Sequence, residues 1–451
     1  MVAKRPVAPI VGRMTDDEVP SSGRTIMDAT RLAAILAKIE DYAAGGAPIS
    51  GGRVAAICAM IDDGAAAGRT RRNKKRKRLC VESTRSYQQM GEIGSGGSGA
   101  VVKARHRETG QTVAIKTFRR RDDGKKGPDG DEYVANLLRE ACFLAACGGH
   151  PHIVGLHAVA RNPRTKRYSL VMEYGGPRSL RQALREHVRA HGGPFPEAEA
   201  RRIMGQLLAG AAAMHAHRIV HRDIKTGNVL VGEGGGGGAA AAVKICDYGL
   251  AMSTAGAGPP YTRAGTTWYM APEVLTRRTD YDERVDTWSL GCVMAELLSG
   301  EVLFRVDGGE RQLDRMFDVL GTPDVEALEA FAPPFVGGKV LRRLARLPRS
   351  CHHGGRLREM FPSETLSQEG FDALKGLLTL NPKERLTAAA ALRLPWFTGA
   401  AVDAPAPETA SSFVRALTCV LASARRMASE LIRLPRHLLP KHKASGKQKH
   451  F

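Results

Sequence analysis

The pattern of hydrophobic and polar positions changes at Tyr87. Residues 1–86 contain Gly- and Ala-rich stretches and show no strand alternation. Beyond them, short segments with strand-like patterning predict three strands within 88–118 and a fourth over 168–174. A helical pattern over 132–146 separates the third strand from the fourth. The N-terminal part of the patterned region is therefore expected to be rich in β-structure.

Farther along the chain, apolar residues recur at helical spacing. The pattern predicts helices over 179–188, 197–217 and 284–300. A β-rich part followed by a helix-rich part is typical of an α+β fold with two lobes. Between the second and third of these helices, a Gly- and Ala-rich run at 233–242 separates two short predicted strands. We interpret this run as an enlarged hairpin tip, because a longer loop adds little closure entropy.

The composition changes again after Phe397. Residues 402–412 are typical of a linker, 413–434 of a basic amphipathic helix, and 441–449 of a charged, disordered end. The sequence thus predicts three regions: a basic, largely disordered N-terminal extension over 1–86, a folded domain over 87–397, and a basic C-terminal tail over 398–451.

The formal net charge of +21 is concentrated in the two terminal regions relative to their length. Basic tails are typical of proteins with acidic partners, which include nucleic acid, an import receptor and an anionic membrane, although they also occur as solvated tails. No aromatic residue interrupts the basic run at 69–78. We interpret that run as a nuclear localisation signal, with a solvated charge run as the alternative.

Cysteine spacing and the length of apolar runs argue against several classes of protein. The eight cysteines form no CxxC pair, which argues against a zinc site or a redox dithiol, and free thiols fit a reducing compartment. No apolar run approaches the roughly 18 residues of a membrane span. The N-terminus lacks the apolar region of a secretory signal. We therefore expect a protein without a transmembrane segment, in the nucleus, the cytoplasm or both.

A glycine-rich motif lies between the first two predicted strands. Gly94, Gly96, Gly99 and Val101 form the pattern GxGxxGxV. Glycines let a backbone close over phosphate groups without clashes from Cβ atoms. A dinucleotide-binding motif of this spacing is followed by a helix, whereas a strand follows here. The motif therefore favours a phosphate-covering loop of another kind.

Two charged residues downstream fit the same phosphate chemistry. Lys116 ends the segment Val-Ala-Ile-Lys in the third predicted strand, and Glu140 lies on the following helix. Lys116 is expected to reach the α and β phosphates of ATP, and Glu140 to orient it through an ion pair. Taken singly, each has a plainer interpretation, as an exposed strand lysine and a solvated helix carboxylate.

The segment His221–Asn228 is the most specific motif in the chain. Asp223 is placed to accept the proton of a substrate hydroxyl, Lys225 to neutralise the transferring phosphoryl group, and Asn228 to reach a Mg²⁺ ion. Downstream, Asp247 begins Asp-Tyr-Gly and is expected to hold the Mg²⁺ that bridges the phosphates. Ala-Pro-Glu follows at 271–273, as the activation-segment pattern requires.

Together these motifs resemble the eukaryotic protein kinase family over about 87–397. The resemblance implies a bilobal fold, ATP and Mg²⁺ as cofactors, protein substrates, Asp223 and Lys225 as catalytic residues, and Asn228 and Asp247 as metal ligands. Lys225 marks the Ser/Thr branch. The residues expected to bind the nucleotide are Ile93, Gly94, Ser95, Gly96, Gly97, Ser98, Gly99, Ala100, Val101, Lys116, Glu140 and Glu173, the last in the hinge that contacts adenine through backbone groups.

Within this family the chain is most similar to cyclin-dependent kinases. The resemblance rests on segments 288–304 and 312–324, and it implies activating phosphorylation at Thr262 by an upstream kinase, with Arg222 among the groups that hold the phosphate. The predicted helix over 132–146 lacks the PSTAIRE-type motif that binds cyclin, so a cyclin or another subunit is an open question. Thr226 also departs from the family, which usually has Pro there.

Two other functions remain open from the residues alone. The chain could be a pseudokinase scaffold, but Lys116, Asp223, Asn228 and Asp247 are all present, which favours an active enzyme. It could instead bind nucleic acid through its basic tails, but no stacking aromatics accompany the basic run and aromatics are only 5% of the chain.

Overall fold

A computed structural model describes the central part of the chain. It covers residues 82–96, 99–118, 129–165, 167–233, 241–254, 259, 261–306, 309–333 and 355–399. Several predictions lie outside these residues: the structure of 1–81, most of the charged loop before the first helix, the tip of the hairpin at 234–240, and the helix over 413–434.

The N-terminal part is built on a six-stranded sheet of order β1-β5-β6-β4-β3-β2. All neighbours pair antiparallel except β1 and β5, which are parallel. The strands are β1 (Glu82–Ser83), β2 (Tyr87–Gly96), β3 (Gly99–His106), β4 (Thr112–Phe118), β5 (Leu156–Arg161) and β6 (Tyr168–Glu173).

Side chains alternate between the two faces of this sheet, and the two faces have different environments. In β4, Val113 and Ile115 point to a small apolar cluster that includes Tyr87 and Val171. Lys116, one position after Ile115, points to the opposite face and is only 4% exposed. Helix α1 (Asp129–Ala146) packs its buried residues within the main core. The lysine is thus held by a strand that is covered on both faces.

The C-terminal part is mainly helical and is organised around one buried helix, α5. That helix is buried along nearly its whole length, and Trp288 within it stacks on Phe304 at a ring-centroid distance of 5.7 Å. The helices are α2 (Leu180–His191), α3 (Glu197–Ala216), α4 (Pro272–Leu275), α5 (Arg284–Ser299), α6 (Gly309–Leu320), α7 (Val325–Phe331), α8 (Leu357–Met360), α9 (Gln368–Leu377), α10 (Ala388–Ala391) and α11 (Pro395–Thr398).

Two small sheets hold the loops at the junction of the two parts. One has the order β10-β9-β7, and the other pairs β8 with β11. Their strands are β7 (Arg178–Ser179), β8 (Ile219–Val220), β9 (Val229–Val231), β10 (Val243–Ile245) and β11 (Met252–Ser253). The antiparallel pairing of β9 with β10 confirms the predicted hairpin around the Gly- and Ala-rich run.

The predicted α+β architecture with a sheet-rich and a helix-rich part is confirmed. Two differences have local causes. Helix α1 begins at Asp129, three residues before the apolar pattern starts. Strands β1 and β5 were not predicted. Strand β1 has only two residues, both polar, and exists through its pairing with β5. No helix in the described ranges is long and apolar enough to span a membrane.

Candidate active site

A cleft of about 770 Å³ opens between the sheet and the helical part. Apolar side chains from both parts line it, among them Val101, Ala114, Leu144, Met172 and Leu230. Most of the predicted site residues also line it: Ile93, Gly94, Ser95, Gly96, Gly99, Val101, Lys116, Glu140, Glu173, Asn228 and Asp247. A cleft lined by both apolar side chains and charged groups suits a ligand with an apolar ring and anionic groups.

Three predicted nucleotide contacts do not appear among the lining residues. Ala100 lies between Gly99 and Val101 on β3, and alternation turns it to the other face of the strand. Gly97 and Ser98 lie outside the described residues. At Gly99, φ is +148° and a Cβ atom would lie 2.1 Å from the Thr117 carbonyl oxygen, so this position requires glycine.

Lys116, Glu140 and Asp247 meet in one three-way charge cluster. The Lys116 ammonium donates to both Glu140 oxygens at 2.8 Å and to Asp247 Oδ1 at 2.8 Å. Burial alone would lower the pKa of Lys116, but the two carboxylates raise it above its ordinary value. The lysine is therefore a permanent cation in the cleft. Arg139, next to Glu140, donates instead to the Gly249 carbonyl at 3.3 Å.

Asp223 lies at the centre of a second hydrogen-bond cluster. Its Oδ2 accepts from the Lys225 ammonium at 2.8 Å and from Asn228 Nδ2 at 3.0 Å. Its Oδ1 accepts from the backbone N–H of Thr266 at 2.9 Å and from the Thr266 hydroxyl at 2.6 Å. These bonds fix the orientation of the carboxylate, and the Lys225 ammonium also reaches Thr266 Oγ1 at 2.7 Å.

Asn228 links this cluster to the cleft. Its Nδ2 donates to the Asp223 carbonyl at 2.9 Å as well as to the carboxylate, and its amide oxygen has no partner among the residues described. Asp247 lines the same cleft with a side chain that is 44% exposed. One carboxylate and one amide oxygen fit a hard divalent cation that takes its remaining ligands from phosphates and water. The described ranges hold no cluster of three or more metal-binding side chains.

The backbone around these residues is held in uncommon conformations. Arg222 and Asp247 have φ values of +67° and +65°. Asp286, fully buried on α5, accepts the backbone N–H groups of His221 and Arg222, each at 2.8 Å, and lies 3.0 Å from His215 Nε2. Burial alone would raise the pKa of Asp286, but its hydrogen bonds and the histidines lower it below its ordinary value. A buried carboxylate therefore holds the turn that positions Asp223.

Arg222 also ties this turn to the segment around Thr262. Its Nε donates to the Leu250 carbonyl at 2.7 Å, and its Nη1 donates to the Thr262 carbonyl at 3.3 Å and to the Tyr281 hydroxyl at 3.1 Å. The Tyr281 hydroxyl in turn donates to the Thr262 carbonyl at 2.7 Å. The guanidinium is thus close to the backbone of the predicted phosphorylation site.

The end of this segment is anchored by a buried ion pair. Arg385 donates to both Glu273 oxygens, at 2.6 Å and 2.9 Å, and both side chains are at most 2% exposed. Arg385 also donates to three backbone carbonyls, which satisfies most of its remaining N–H groups. The pair fixes the chain where it returns to the helical core.

Glu173 lines the cleft, and its carboxylate is held by other parts of the chain. The carboxylate accepts from the Gly155 N–H at 3.1 Å and lies 3.0 Å from the Lys244 ammonium. Its own N–H donates to the Gly155 carbonyl at 2.8 Å. The carboxylate is therefore engaged within the protein, and the contact through the Glu173 backbone stays a prediction.

Sequence motifs missed two residues that organise the site. Thr266 and Arg181 belong to no recognised charge pattern, yet Thr266 contacts both Asp223 and Lys225, and Arg181 contacts Thr226. Only the fold shows which hydroxyls come close to the catalytic loop, because the partners lie about 40 residues or more apart in the chain.

Comparison with known proteins agrees with this geometry. A family model described as protein kinase domain matches residues 87–397, more than half of the chain. The chain belongs to the protein kinase family. It is an ATP-dependent Ser/Thr protein kinase of the cyclin-dependent kinase group, as the relatives below show, and the pseudokinase alternative is not favoured.

Three curated relatives show the extent of the similarity. A rice (Oryza sativa subsp. japonica) protein named "Putative cyclin-dependent kinase F-2" is 46% identical over 339 residues, which are 74% of this chain and 96% of that protein. Cell division control protein 2 homolog 3 of Trypanosoma brucei brucei is 37% identical over 319 residues, 70% of this chain and 92% of the relative. Cyclin-dependent kinase G1 of Arabidopsis thaliana is 35% identical over 323 residues, 70% of this chain and 49% of its own length.

Proposed function

We propose that the chain transfers the γ-phosphoryl group of ATP, bound with Mg²⁺, to Ser or Thr hydroxyls of proteins, with Asp223 as the catalytic base. One observation carries the proposal. The cation of Lys116 and the carboxylate of Asp247 meet at 2.8 Å inside a cleft that also contains Asn228, the hydrogen-bond partner of Asp223.

Each residue has a distinct task in this proposal. Lys116, oriented by Glu140, neutralises charge on the α and β phosphates. Asp223 accepts the proton of the attacking hydroxyl, and Lys225 stabilises the charge that develops on the transferring group. Asn228 and Asp247 hold the Mg²⁺, which neutralises the phosphate oxygens when it is bound. Positioning and charge stabilisation then supply most of the rate enhancement.

Phosphorylation assays test the proposal. Purified protein is incubated with γ-labelled ATP, Mg²⁺ and a general protein substrate, and the labelled residues are identified after hydrolysis. Phosphoserine or phosphothreonine made by the wild type, and not by Asp223→Asn, is the expected result. Equal labelling by both proteins would remove Asp223 from its role, and label on tyrosine alone would contradict the hydroxyl specificity.

We infer that basal activity does not require a cyclin. Helix α1 lacks a PSTAIRE-type motif, and Glu140 is already paired with Lys116 in the single chain. An activating phosphate on Thr262, added by an upstream kinase, would bring a charge near −2 to the neighbourhood of Arg222 and order the segment. Rates measured with and without added cyclins, and for Thr262→Ala, test both parts. A rate that appears only with a cyclin would contradict the first.

We also propose that the basic run at 69–78 directs import into the nucleus, and that residues 1–86 and 398–451 are extensions to the kinase domain. The support is the density of Lys and Arg in the run and the absence of interleaved aromatics. A fluorescent protein fused to residues 60–86 should accumulate in the nucleus. A diffuse distribution identical to that of a fusion with the Lys and Arg residues replaced by Ala would refute the assignment.

A further inference from the structure

A buried hydroxyl sits inside the catalytic loop, at the position where the resembled family usually has proline. Thr226 directly follows Lys225 and begins the short 3-10 turn Thr226–Asn228. Its side chain is fully buried. Because it does not line the cleft, its contacts must act through other residues.

The Thr226 hydroxyl joins a compact polar network. It donates to the Glu296 carboxylate, whose oxygens lie at 3.0 Å and 3.1 Å, and accepts from Arg181 Nε at 3.3 Å. Glu296 also accepts from the Tyr269 hydroxyl at 2.6 Å. Arg181 Nη2 donates to that same hydroxyl at 3.1 Å. Four side chains from four separate segments are thus connected through one hydroxyl and one carboxylate.

Further hydrogen bonds connect this network to the catalytic residues. Tyr269 ends a 3-10 turn, and its N–H donates to the Thr266 carbonyl at 3.0 Å. Thr266 is the residue that holds Asp223 and Lys225 through its own hydroxyl. The chain from Thr226 through Glu296, Tyr269 and Thr266 therefore spans the gap between the catalytic loop and the segment that follows Thr262.

The buried Glu296 carboxylate requires hydrogen-bond donors, and the Thr226 hydroxyl is one of them. This carboxylate is 4% exposed, and no Lys or Arg among the described residues forms an ion pair with it. Burial raises its pKa, and the hydroxyl donors Tyr269 and Thr226 act against that rise. Removing one of two donors leaves a buried acceptor partly unsatisfied, which favours a local rearrangement.

We propose that Thr226 is a positioning residue, which holds the catalytic loop at a set distance from the Thr266 segment through Glu296 and Tyr269. The inference rests on the proposed function of Asp223 and Lys225. It predicts that loss of the hydroxyl slows phosphoryl transfer while leaving ATP binding in place, because the network reaches Asp223 and Lys225 through Thr266, whereas of its four side chains Arg181 alone lines the cleft.

The decisive comparison uses Thr226→Val, Thr226→Ser and a matched control, Thr276→Val. Thr276 is also buried and donates to the Phe331 carbonyl at 2.6 Å, but its hydroxyl contacts no member of this network. Steady-state kcat and the KM values for ATP and a protein substrate are measured for each. Thr226→Val should lower kcat by about 10- to 100-fold and change KM for ATP by less than about twofold.

The other variants decide whether the hydroxyl itself matters. Thr226→Ser should recover kcat to within about threefold of the wild type, and Thr276→Val should keep it despite similar loss of thermal stability. A Thr226→Val kcat equal to that of the wild type, or a Thr226→Ser kcat as low as that of Thr226→Val, would overturn the inference. A parallel rise in KM for ATP would also overturn it.

A second measurement covers the case in which Thr226→Val does not fold. Tyr269→Phe removes the other donor to Glu296 and should lower kcat as well, and combining it with Thr226→Ala, which also lacks the hydroxyl, should give a loss that is not the product of the two single losses. Independent effects would contradict the network. A wild-type chain that phosphorylates no protein would instead overturn the proposed function, so the two failures are distinguishable.

Discussion

Replacing Lys116 separates the structural from the catalytic role of the buried charge cluster. Its ammonium lies 2.8 Å from Glu140, and both side chains are at most 5% exposed. At an effective dielectric constant of about 20, that separation corresponds to an attraction of about 6 kcal/mol before desolvation. Lys116→Met leaves the Glu140 carboxylate buried without its cation, which should lower the free energy of unfolding by about 3–5 kcal/mol.

The double variant Lys116→Met/Glu140→Leu removes both charges of the buried pair. It should regain most of the lost stability, since replacing a whole buried pair with apolar groups is often close to neutral. It should not regain activity. Both variants are expected to transfer phosphate at least about 10²–10³-fold more slowly than the wild type, because the cation that faces the phosphates is gone.

The assay combines urea unfolding with initial rates of labelled phosphate transfer. Lys103→Met is the matched control: it replaces a lysine of neighbouring strand β3 that is outside the cleft lining, and it should keep the rate. Activity of Lys116→Met within tenfold of the wild type would refute the role assigned to the ammonium. Recovery of activity in the double variant would show that the defect in the single variant was one of folding.

Three further predictions concern Arg385, Asp286 and Asp247. Arg385→Met leaves Glu273 buried without its partner and should lower the free energy of unfolding by about 3–5 kcal/mol. The control Arg356→Met removes an exposed ion pair and should lower it by about 1 kcal/mol or less. Equal urea midpoints for the two variants would contradict this prediction. Asp286 has a pKa lower in the folded than in the unfolded state, so its stabilisation is fully present above the unfolded pKa of about 4 and is lost as the pH falls below that value and through the lowered folded pKa. Asp286→Asn should therefore show a flatter acid-unfolding curve, and a curve parallel to the wild type would contradict the assignment. Asp247→Asn should raise the Mg²⁺ concentration needed for half-maximal rate by at least about tenfold, and an unchanged Mg²⁺ titration would remove it from the metal site.

The charged residues of the site were predictable because short local sequence motifs identify them. Lys116 ends the segment Val-Ala-Ile-Lys within a predicted strand, and Asp223 lies in an eight-residue segment with few other interpretations. The partners that hold those residues were not predictable. Asp286 contacts a turn more than 60 residues away, and Thr266 contacts Asp223 across 43 positions. Such contacts follow from the packing of α5 and the small sheets, which local patterns do not encode.

The fold shows the same division. Strands β2, β3, β4 and β6 were predicted because alternation and β-branched residues mark them. Strand β1 was not, since two polar residues become a strand only by pairing with β5. For Glu173, sequence reasoning named the residue, while the structure showed that its carboxylate is used by Gly155 and Lys244.

Covalent labelling of lysines by an ATP-derived acyl phosphate would test the central claim most directly. The reagent delivers its acyl group to amines beside the bound phosphates, and mass spectrometry of the peptides locates it. Label is expected on Lys116, blocked by excess ATP and absent in Lys116→Met. Label spread over surface lysines without protection by ATP would contradict a nucleotide site in this cleft.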